Sequence, residues 1–414
     1  MNNNVFVTAI GVVTPIGIGV TDFTAGLKQG NSNFTYLEKK WNEKTMSYPM
    51  AIVQDFQFLK EVNALDLPDD LKNKVKRIRN LTKSEKFGLL TVLEAWSQLN
   101  IESIDLSKVA IVLCGSNTQM DHILGVHEQY REKLTFMNPN YGLSLFDTDL
   151  IGVISELLQI KGEGFSVGSA SASGNMGVIQ ATRLIRSGEF DQVVVVAPLM
   201  DLSIFELQGF TSIGAMALCS DSIGPTEICR PFDSEPNGFV YGQMAGSLIL
   251  ESENSMKQTN NKAIASVAGY GSSLDSNRNP NPSVEGEMIV MGKALSMAGL
   301  ESKAINYINA HGTASKIGDL TESEAIVKMS LRNASVNSTK SLIGHGLTAA
   351  GLVESIATLI QMKEGFVHVS KNISQPITEE INWVTQKNEK KLNHTMNNSF
   401  GFGGINTSII YSNL

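Results

Sequence analysis

Cysteine is scarce in this sequence, which limits what the chain can do with metals or disulfides. The 414 residues contain three cysteines, Cys114, Cys219 and Cys229, and none of them has the spacing of a zinc or iron–sulfur motif. An odd, sparse set of cysteines is typical of a reduced cytoplasmic protein. We therefore interpret all three as small buried hydrophobic residues and expect no metal site.

Positive charge and long apolar runs are also lacking. The 33 Lys and Arg residues are outnumbered by 41 Asp and Glu residues, which gives a formal net charge of −8. This balance argues against non-specific nucleic-acid binding, so an acidic partner has to dock on a local basic patch. No run reaches the roughly 20 apolar residues of a membrane span. Residues 1–20 lack a basic leader, so we expect a strand and a loop there rather than a signal peptide, and a cytoplasmic protein.

Short β-rich runs alternate with amphipathic helical stretches. Strands are predicted at residues 5–10, 109–115, 192–198, 246–252, 305–311, 394–400 and 407–412, and helices at 84–100, 174–188, 287–299 and 351–365. The alternation indicates an α/β fold with buried central strands. The chain is longer than one hydrophobic core usually serves, and a strand followed by a small-residue turn occurs in each half. We therefore predict a duplicated architecture, with halves at 1–255 and 256–414.

The stretch FSVGSASASGNMGVIQA, residues 165–181, predicts a buried strand, a tight turn of small residues and then a helix. A turn of this kind usually presents a nucleophile. The presenting position is Ser171, whose hydroxyl is far harder to deprotonate than a thiol and needs a dedicated base. The alternative is that Ser171 is only the N-cap of the following helix.

Two histidines lie in glycine-rich turns, His311 in NAHGTAS and His345 in IGHGLTAAG. Neighbouring glycines permit close backbone approach and leave an imidazole ring open to a ligand, so we interpret both histidines as functional. Lys340 precedes His345 by five residues. Its charge is expected to favour the neutral imidazole, and it could also anchor a substrate carboxylate.

Three carboxylates accompany these residues. Glu354 is placed to pair with Lys340, while Asp319 and Glu322 follow His311. Each carboxylate alone is more often structural. Together they predict a buried polar network, which is tolerated only when its members are paired.

One segment is locally basic against the acidic background. Residues 70–86, DLKNKVKRIRNLTKSEK, carry seven Lys or Arg residues. Such a segment is either a solvated helix face or a docking patch for an acidic partner.

Six ordered motifs together resemble the β-ketoacyl synthase family, in the thiolase-like superfamily, over essentially the whole chain. They are AIGVVTPIG, SASASG, RPFDSEPNGFVYGQMAGSLILE, NAHGTASKIGD, STKSLIGHGLTAAGLVES and NNSFGFGGINTS. The resemblance implies a duplicated βαβαβ core in five α-β-α-β-α layers, usually as a homodimer. It also implies no cofactor of the enzyme's own and a substrate carried on the phosphopantetheine of an acyl carrier protein (ACP).

The resemblance assigns roles to individual residues. Ser171 occupies the position of the family's catalytic cysteine, His311 and His345 match its two active-site histidines, and Lys340 matches its lysine. The other matches are the supporting acids Asp319, Glu322 and Glu354, the gatekeeper-like Phe402, the phosphopantetheine-holding hydroxyls of Thr313 and Ser315, and a carrier-docking helix at 72–86 with Lys72, Lys74, Lys76, Arg77 and Arg79.

Two positions depart from the family pattern. Ser171 stands where the family has cysteine, and Gln243 stands where an acid usually follows GFV-x-G. Loss of the thiol should abolish or strongly weaken acyl loading, whereas decarboxylation of a malonyl group needs only donors that stabilise an enolate. The chain is thus similar to the ketosynthase-like decarboxylases of polyketide β-branching cassettes, which turn malonyl-ACP into acetyl-ACP for an HMG-CoA-synthase-like partner. Two alternatives stay open, an acyltransferase with Ser171 as nucleophile and a non-catalytic partner subunit similar to chain-length factors.

Overall fold

The computed structural model describes residues 4–278 and 281–414, and its core is a pair of mixed β-sheets joined edge to edge. The strands that build the two halves are β1 (Val5–Thr14), β2 (Val109–Cys114), β3 (Gly164–Val167), β4 (Gln192–Ala197), β5 (Ala245–Ser252), β6 (Ala265–Leu274), β7 (Tyr307–Asn309), β8 (Ser335–Asn337), β9 (His394–Gly401) and β10 (Ile405–Ser412). The helices that cover them are α1 (Lys83–Trp96), α2 (Thr148–Leu158), α3 (Ser173–Ser187), α4 (Val284–Ala298), α5 (Lys316–Lys328) and α6 (Ala350–Glu364).

Smaller helices and strands lie around this core. They include a hairpin of strands Phe34–Trp41 and Lys44–Ala51, and the helices Val20–Gln29, Phe58–Ala64, Asp69–Arg77, Met120–Tyr130, Tyr141–Ser144, Ile204–Ser212, Glu253–Thr259 and Lys340–Ile343. Short strands lie at Gly17–Ile18, Tyr241–Gly242, Phe366–Val367, Asn382–Trp383 and Asn388–Glu389. Within residues 4–278 and 281–414, no helix combines the length and apolar character needed to cross a membrane.

The two halves have the same topology. The spatial order is β3-β2-β4-β5-β1 in the first half and β8-β7-β9-β10-β6 in the second, so equivalent strands occupy equivalent places. The first three strands of each order are parallel, and the last two pair antiparallel. Strands β1 and β6 join the sheets through Phe6 opposite Ser266 and Val7 opposite Ala265. The predicted duplicated α/β fold is confirmed, while the division of the chain at residue 255 stays a prediction.

Alternation along the strands produces five layers. In β2, Val109, Ile111 and Leu113 pack with α1 and α2, whereas Ala110 and Val112 pack with α3 and α6. In β10 the residue facing α4 is Ile410, and its two neighbours face the middle helices. Helices cover both faces of each sheet, and both faces are apolar for that reason. The middle layer of α3 and α6 separates the two sheets.

The start of α3 touches the start of α6, and a glycine permits this contact. A Cβ at Gly174 would lie 2.1 Å from the backbone nitrogen of Leu352, closer than any side chain can approach. Because α3 and α6 are equivalent helices in the two halves, the turns that precede them are brought together. The Ser171 turn precedes α3 and the His345 turn precedes α6, so the duplication itself builds a shared site.

Two of the predicted element boundaries need correction. The predicted helix 84–100 ends at Trp96, where the Ser97 hydroxyl bonds the Glu94 carbonyl at 2.8 Å. The predicted strand 305–311 is reduced to Tyr307–Asn309.

The cysteine prediction is confirmed for two of the three residues. Cys114 and Cys229 are buried, and desolvation raises the pKa of both thiols, to about 12 for Cys229. The prediction is wrong for Cys219, which is only partly buried and lies 3.4 Å from the Ser47 hydroxyl.

Candidate active site

A cavity of about 580 Å³ opens where the two halves meet. Most of the predicted site residues line it. They are Ser171, His311, Thr313, Ser315, Asp319, Glu322, His345 and Phe402. The remaining predicted residues of the site, Lys340 and Glu354, are buried behind the histidines.

Ser171 lies in a 3₁₀ turn, Ala170–Ala172, immediately before α3. The interpretation of Ser171 as an N-cap is wrong, because the helix begins after Ala172 and no side chain caps it. The Ser171 hydroxyl lies 2.9 Å from Nε2 of His345, and the Ser171 carbonyl accepts a hydrogen bond of 2.9 Å from the Ser399 hydroxyl. These contacts hold the Ser171 side chain at the cavity wall.

The two imidazoles are neutral. Desolvation, reinforced by the Lys340 charge, lowers the pKa of His311 and of His345 well below the ordinary value. The ring centroids are 5.6 Å apart, and the Nδ1 atom of each ring is buried without a hydrogen-bond partner among the described residues. A buried N–H without an acceptor is rarer than an unused lone pair, so we assign the proton of each ring to Nε2. In this tautomer His345 donates to the Ser171 oxygen.

Lys340 does not reach the cavity, so its expected role as an anchor for a substrate carboxylate is wrong. Its side chain is 1% exposed, and Nζ donates to the carbonyl of His311 at 2.6 Å and to Glu354. Burial raises the pKa of Glu354 and the Lys340 charge opposes that shift. The predicted Lys340–Glu354 pair is therefore present, and it positions the backbone of His311.

Two carboxylates shape the loop after β7. Glu322 accepts hydrogen bonds of 2.9 Å from the backbone nitrogens of His311 and Gly312, which is why the strand stops before His311. Asp319 accepts from the backbone nitrogens of Phe232 at 2.7 Å and Thr313 at 3.0 Å. Desolvation raises the pKa of Asp319 to about 7. Glu322 therefore positions the backbone of His311, and Asp319 holds the loop two residues further on.

The cavity mouth carries hydroxyls and an exposed ring. The Thr313 hydroxyl donates to the Ser315 hydroxyl at 3.1 Å, and both residues line the cavity. Phe402 is 45% exposed in the turn between β9 and β10. The structure therefore brings Thr313, Ser315 and Phe402 to the same opening, and their individual roles stay predictions.

The basic segment lies apart from these residues, and its predicted single helix over 72–86 is wrong. The helix ends at Arg77, Asn80 adopts a left-handed φ of 65°, and α1 begins only at Lys83. Lys74, Lys76, Arg77 and Arg79 are exposed, whereas Lys72 is partly buried and its Nζ donates to the Asn63 carbonyl at 3.1 Å. Lys74 also pairs with Asp70 at 2.7 Å.

Two polar residues were not interpreted from the sequence. Gln243 keeps an oxygen acceptor where an acid was expected, since its Oε1 accepts from the Val53 nitrogen at 3.1 Å. Glu287 in the first turn of α4 lines the cavity although its side chain is buried. The sequence feature that could have identified Glu287 is its spacing of four residues from Met291, which places both residues on the buried face of the helix.

The comparisons with known proteins agree with this architecture. Residues 2–255 match the family model "Beta-ketoacyl synthase, N-terminal domain", and residues 264–374 match "Beta-ketoacyl synthase, C-terminal domain". The solved structure of "The ishigamide ketosynthase/chain length factor" has a TM-score of 0.86 and 26% identity, covering 100% of both chains.

Curated relatives span the whole chain as well. It is 38% identical over 411 residues to the "Polyketide biosynthesis malonyl-ACP decarboxylase PksF" of Bacillus subtilis (strain 168), covering 99% of this chain and 96% of the relative. It is 28% identical over 422 residues to "3-oxoacyl-[acyl-carrier-protein] synthase 2" of Coxiella burnetii, covering 99% and 98%. The chain belongs to the β-ketoacyl synthase family.

Proposed function

We propose that this protein decarboxylates a malonyl group carried by an acyl carrier protein and releases acetyl-ACP. The observation that carries the proposal is a pair of neutral imidazoles, His311 and His345, around a serine that replaces the nucleophilic thiol. The name of the Bacillus subtilis relative, a malonyl-ACP decarboxylase, supports the same activity.

The mechanism follows from the protons on the two rings. Neutral imidazoles with protonated Nε2 atoms offer two N–H donors to the oxygen of a malonyl thioester in the cavity. As the bond to the carboxylate carbon breaks, its electron pair moves into the thioester and charge develops on that oxygen. Donors fixed in advance stabilise this charge without reorganising, which is the largest single catalytic effect in many enzymes. CO₂ leaves, and with no acyl group on Ser171 the enolate takes up a proton.

Acyl transfer through Ser171 has one observation in its favour, the 2.9 Å contact between its hydroxyl and Nε2 of His345. A serine nucleophile, however, needs a basic ring nitrogen that a third group orients. Nδ1 of His345 has no such partner in the described part of the chain. With the proton on Nε2, His345 is a donor to Ser171 and leaves the hydroxyl unactivated.

The carrier would dock on the exposed basic residues of the helix Asp69–Arg77, and its phosphopantetheine would pass Thr313 and Ser315. Lys76→Glu combined with Arg77→Glu is expected to raise KM for malonyl-ACP and leave kcat unchanged, since exposed charges act mainly on association. Lys303→Glu, at an exposed ion pair with Glu301, is the matched control. A small malonyl-pantetheine thioester should react equally with all forms, and an unchanged KM for malonyl-ACP would contradict the docking site.

The function is tested by incubating the protein with malonyl-ACP and following the masses of both proteins. Conversion to acetyl-ACP with no mass added to the enzyme is the expected result. A stable acyl group on Ser171 would favour acyl transfer. Unchanged malonyl-ACP, with several carrier proteins tried, would favour a non-catalytic partner subunit.

The place of the protein in a pathway and its assembly are also proposals. We propose that acetyl-ACP is the donor for an HMG-CoA-synthase-like enzyme in polyketide β-branching, which a reaction coupled to such an enzyme would test. A homodimer is supported by large apolar side chains left exposed, including Leu134 at 69%, Phe136 at 77% and Phe146 at 59%. Sedimentation at micromolar concentration tests the dimer, and a monomer would contradict it.

A further inference from the structure

An enzyme that decarboxylates without condensing must supply a proton to the enolate carbon, which a condensing enzyme does not have to do. In a condensation the enolate carbon forms its new bond to an acyl group, whereas here it forms a bond to hydrogen. One proton must therefore reach that carbon in each turnover. The following inference rests on the proposed function and concerns where that proton comes from.

The residues already described are poorly suited to supply it. The Nε2 protons of His311 and His345 are needed at the thioester oxygen, where they oppose the developing charge. The Lys340 ammonium is 1% exposed and held by Glu354 and the His311 carbonyl. Ser171 accepts a hydrogen bond from His345 and has a weakly acidic hydroxyl.

Glu287 is a different kind of group. It lies in the first turn of α4, its backbone nitrogen bonds the Ser283 carbonyl at 3.0 Å, and its side chain is fully buried at the wall of the cavity that contains Ser171. Neither carboxyl oxygen has a hydrogen-bond partner among residues 4–278 and 281–414. A buried ionised carboxylate without partners is strongly disfavoured, so this carboxyl holds its proton.

The surroundings of Glu287 are acidic. Desolvation raises its pKa well above the ordinary value, and the charges of Glu322, Asp275 and Asp319 raise it further. Asp275 approaches from the end of β6, and the other two acids approach from α5. Burial, with these acids nearby, therefore favours the protonated form of Glu287.

Asp275 is a second, more exposed carboxyl group beside the first turn of α4. It is partly exposed and accepts a 2.6 Å hydrogen bond from the Asn406 side chain. The residue beside Glu287 is Gly286, where a Cβ would lie only 1.8 Å from Oδ1 of Asp275. The absence of a side chain at Gly286 thus lets the carboxylate of Asp275 reach the first turn of α4.

We propose that Glu287, once its side chain turns toward the cavity, is the proton donor that converts the enolate into the acetyl group. The O–H bond of Glu287 breaks, its hydrogen forms the new C–H bond, and the Glu287 carboxylate takes a proton from solvent by way of Asp275. The enolate carbon is a far stronger base than a carboxylate, so the transfer is downhill. The proton from solvent balances the reaction, because one is consumed for each CO₂ released.

The test compares wild type with Glu287→Gln, Glu287→Asp and the matched control Glu285→Gln, which changes an exposed acid in the same helical turn. Loss of a general acid typically costs about 10²–10⁴-fold, so Glu287→Gln should slow acetyl-ACP formation by that range. Glu287→Asp should restore part of the rate, and Glu285→Gln should match wild type. Thermal unfolding checks that each variant is folded.

Two isotope readouts separate proton donation from a structural role. In heavy water the solvent isotope effect should be larger for Glu287→Gln than for wild type, because proton transfer becomes the slow step. Under isotopically labelled CO₂, Glu287→Gln should return label to malonyl-ACP, since an enolate that waits for a proton recaptures CO₂. Wild type should show little such exchange.

Three results would overturn the inference. A folded Glu287→Gln variant with the wild-type rate and isotope effect would exclude Glu287 as the donor. A slow variant without CO₂ exchange and without a larger isotope effect would make its role structural. Wild type that forms no acetyl-ACP would refute the proposed function itself, and with it the need for a donor. In the first two results wild type forms acetyl-ACP and in the last it does not, so the two failures are distinguishable.

Discussion

The most informative perturbation of the site is a pair of substitutions, Ser171→Ala and His345→Ala. The two side chains contact each other at 2.9 Å, yet the proposed mechanism gives them unequal importance. In that mechanism His345 supplies an N–H to the thioester oxygen, and Ser171 keeps the place of the family's cysteine without its nucleophilic role.

The structure sets the size of each effect. Ser171→Ala removes one neutral hydrogen bond, which contributes about 0.5–1.5 kcal/mol. Even if the whole of that were lost in the transition state, the rate would fall by roughly tenfold at most. His345→Ala removes one donor to the developing oxyanion, a change that typically lowers kcat by about 10²–10³. His311→Ala should be affected in the same way.

The assay is conversion of malonyl-ACP to acetyl-ACP, followed by intact mass under single-turnover conditions. His394→Ala is a suitable control because His394 bonds Ser412 where β9 begins and β10 ends, outside the cavity lining. Thermal unfolding shows whether each variant is folded. Equal losses for Ser171→Ala and His345→Ala, or acylation of Ser171 in wild type, would refute the reasoning and favour acyl transfer.

Three further predictions concern pH, packing and the buried ion pair. The pKa of His311 and of His345 is held well below the ordinary value of about 6.5, so decarboxylation should persist as pH falls through 6.5. A pH–rate profile in which half of the decarboxylation rate is lost at about pH 6.5 would contradict this. The depressed pKa values of the two histidines contribute a loss of stability as pH drops below about 6.5, whereas the raised pKa values of Asp319 and Glu287 act in the opposite direction. Gly174→Ala should destabilise the fold by about 1–3 kcal/mol or more in urea titration, since its Cβ would meet α6, and an unchanged midpoint would exclude that contact. Lys340→Ala should cost about 3–5 kcal/mol by leaving Glu354 buried and unpaired, and the double variant Lys340→Met with Glu354→Leu should recover most of that loss.

Much of the site was predictable because its motifs are local. The small residues around Ser171 define a strand-to-helix turn, and the glycines beside His311 and His345 define two open loops. Lys340 and Glu354 were also predicted as a pair, which the structure confirms. The lysine's suggested contact with substrate was wrong because only tertiary packing determines which face of a short helix is buried.

Other features depended on contacts between distant parts of the chain. Glu287 is one of several acids near the start of a helix in the sequence, and nothing local distinguishes it from the exposed Glu285. The basic segment was predicted as one helix because charge and periodicity do not reveal the left-handed residue Asn80 that interrupts it. The partial exposure of Cys219 likewise depends on the neighbouring strand that carries Ser47.

The sequence by itself determined the residue types, the order of strands and helices, and the absence of a thiol from the turn at Ser171. The tertiary structure decided which groups meet and in what protonation state. Ser171 and His345 are 174 residues apart, and they touch because equivalent helices of the two halves pack with their N-terminal ends together. The lowered pKa values of the two histidines and the raised pKa of Glu287 have the same physical reason, since a pKa depends on burial and neighbouring charge, and both are set by residues far away in the chain.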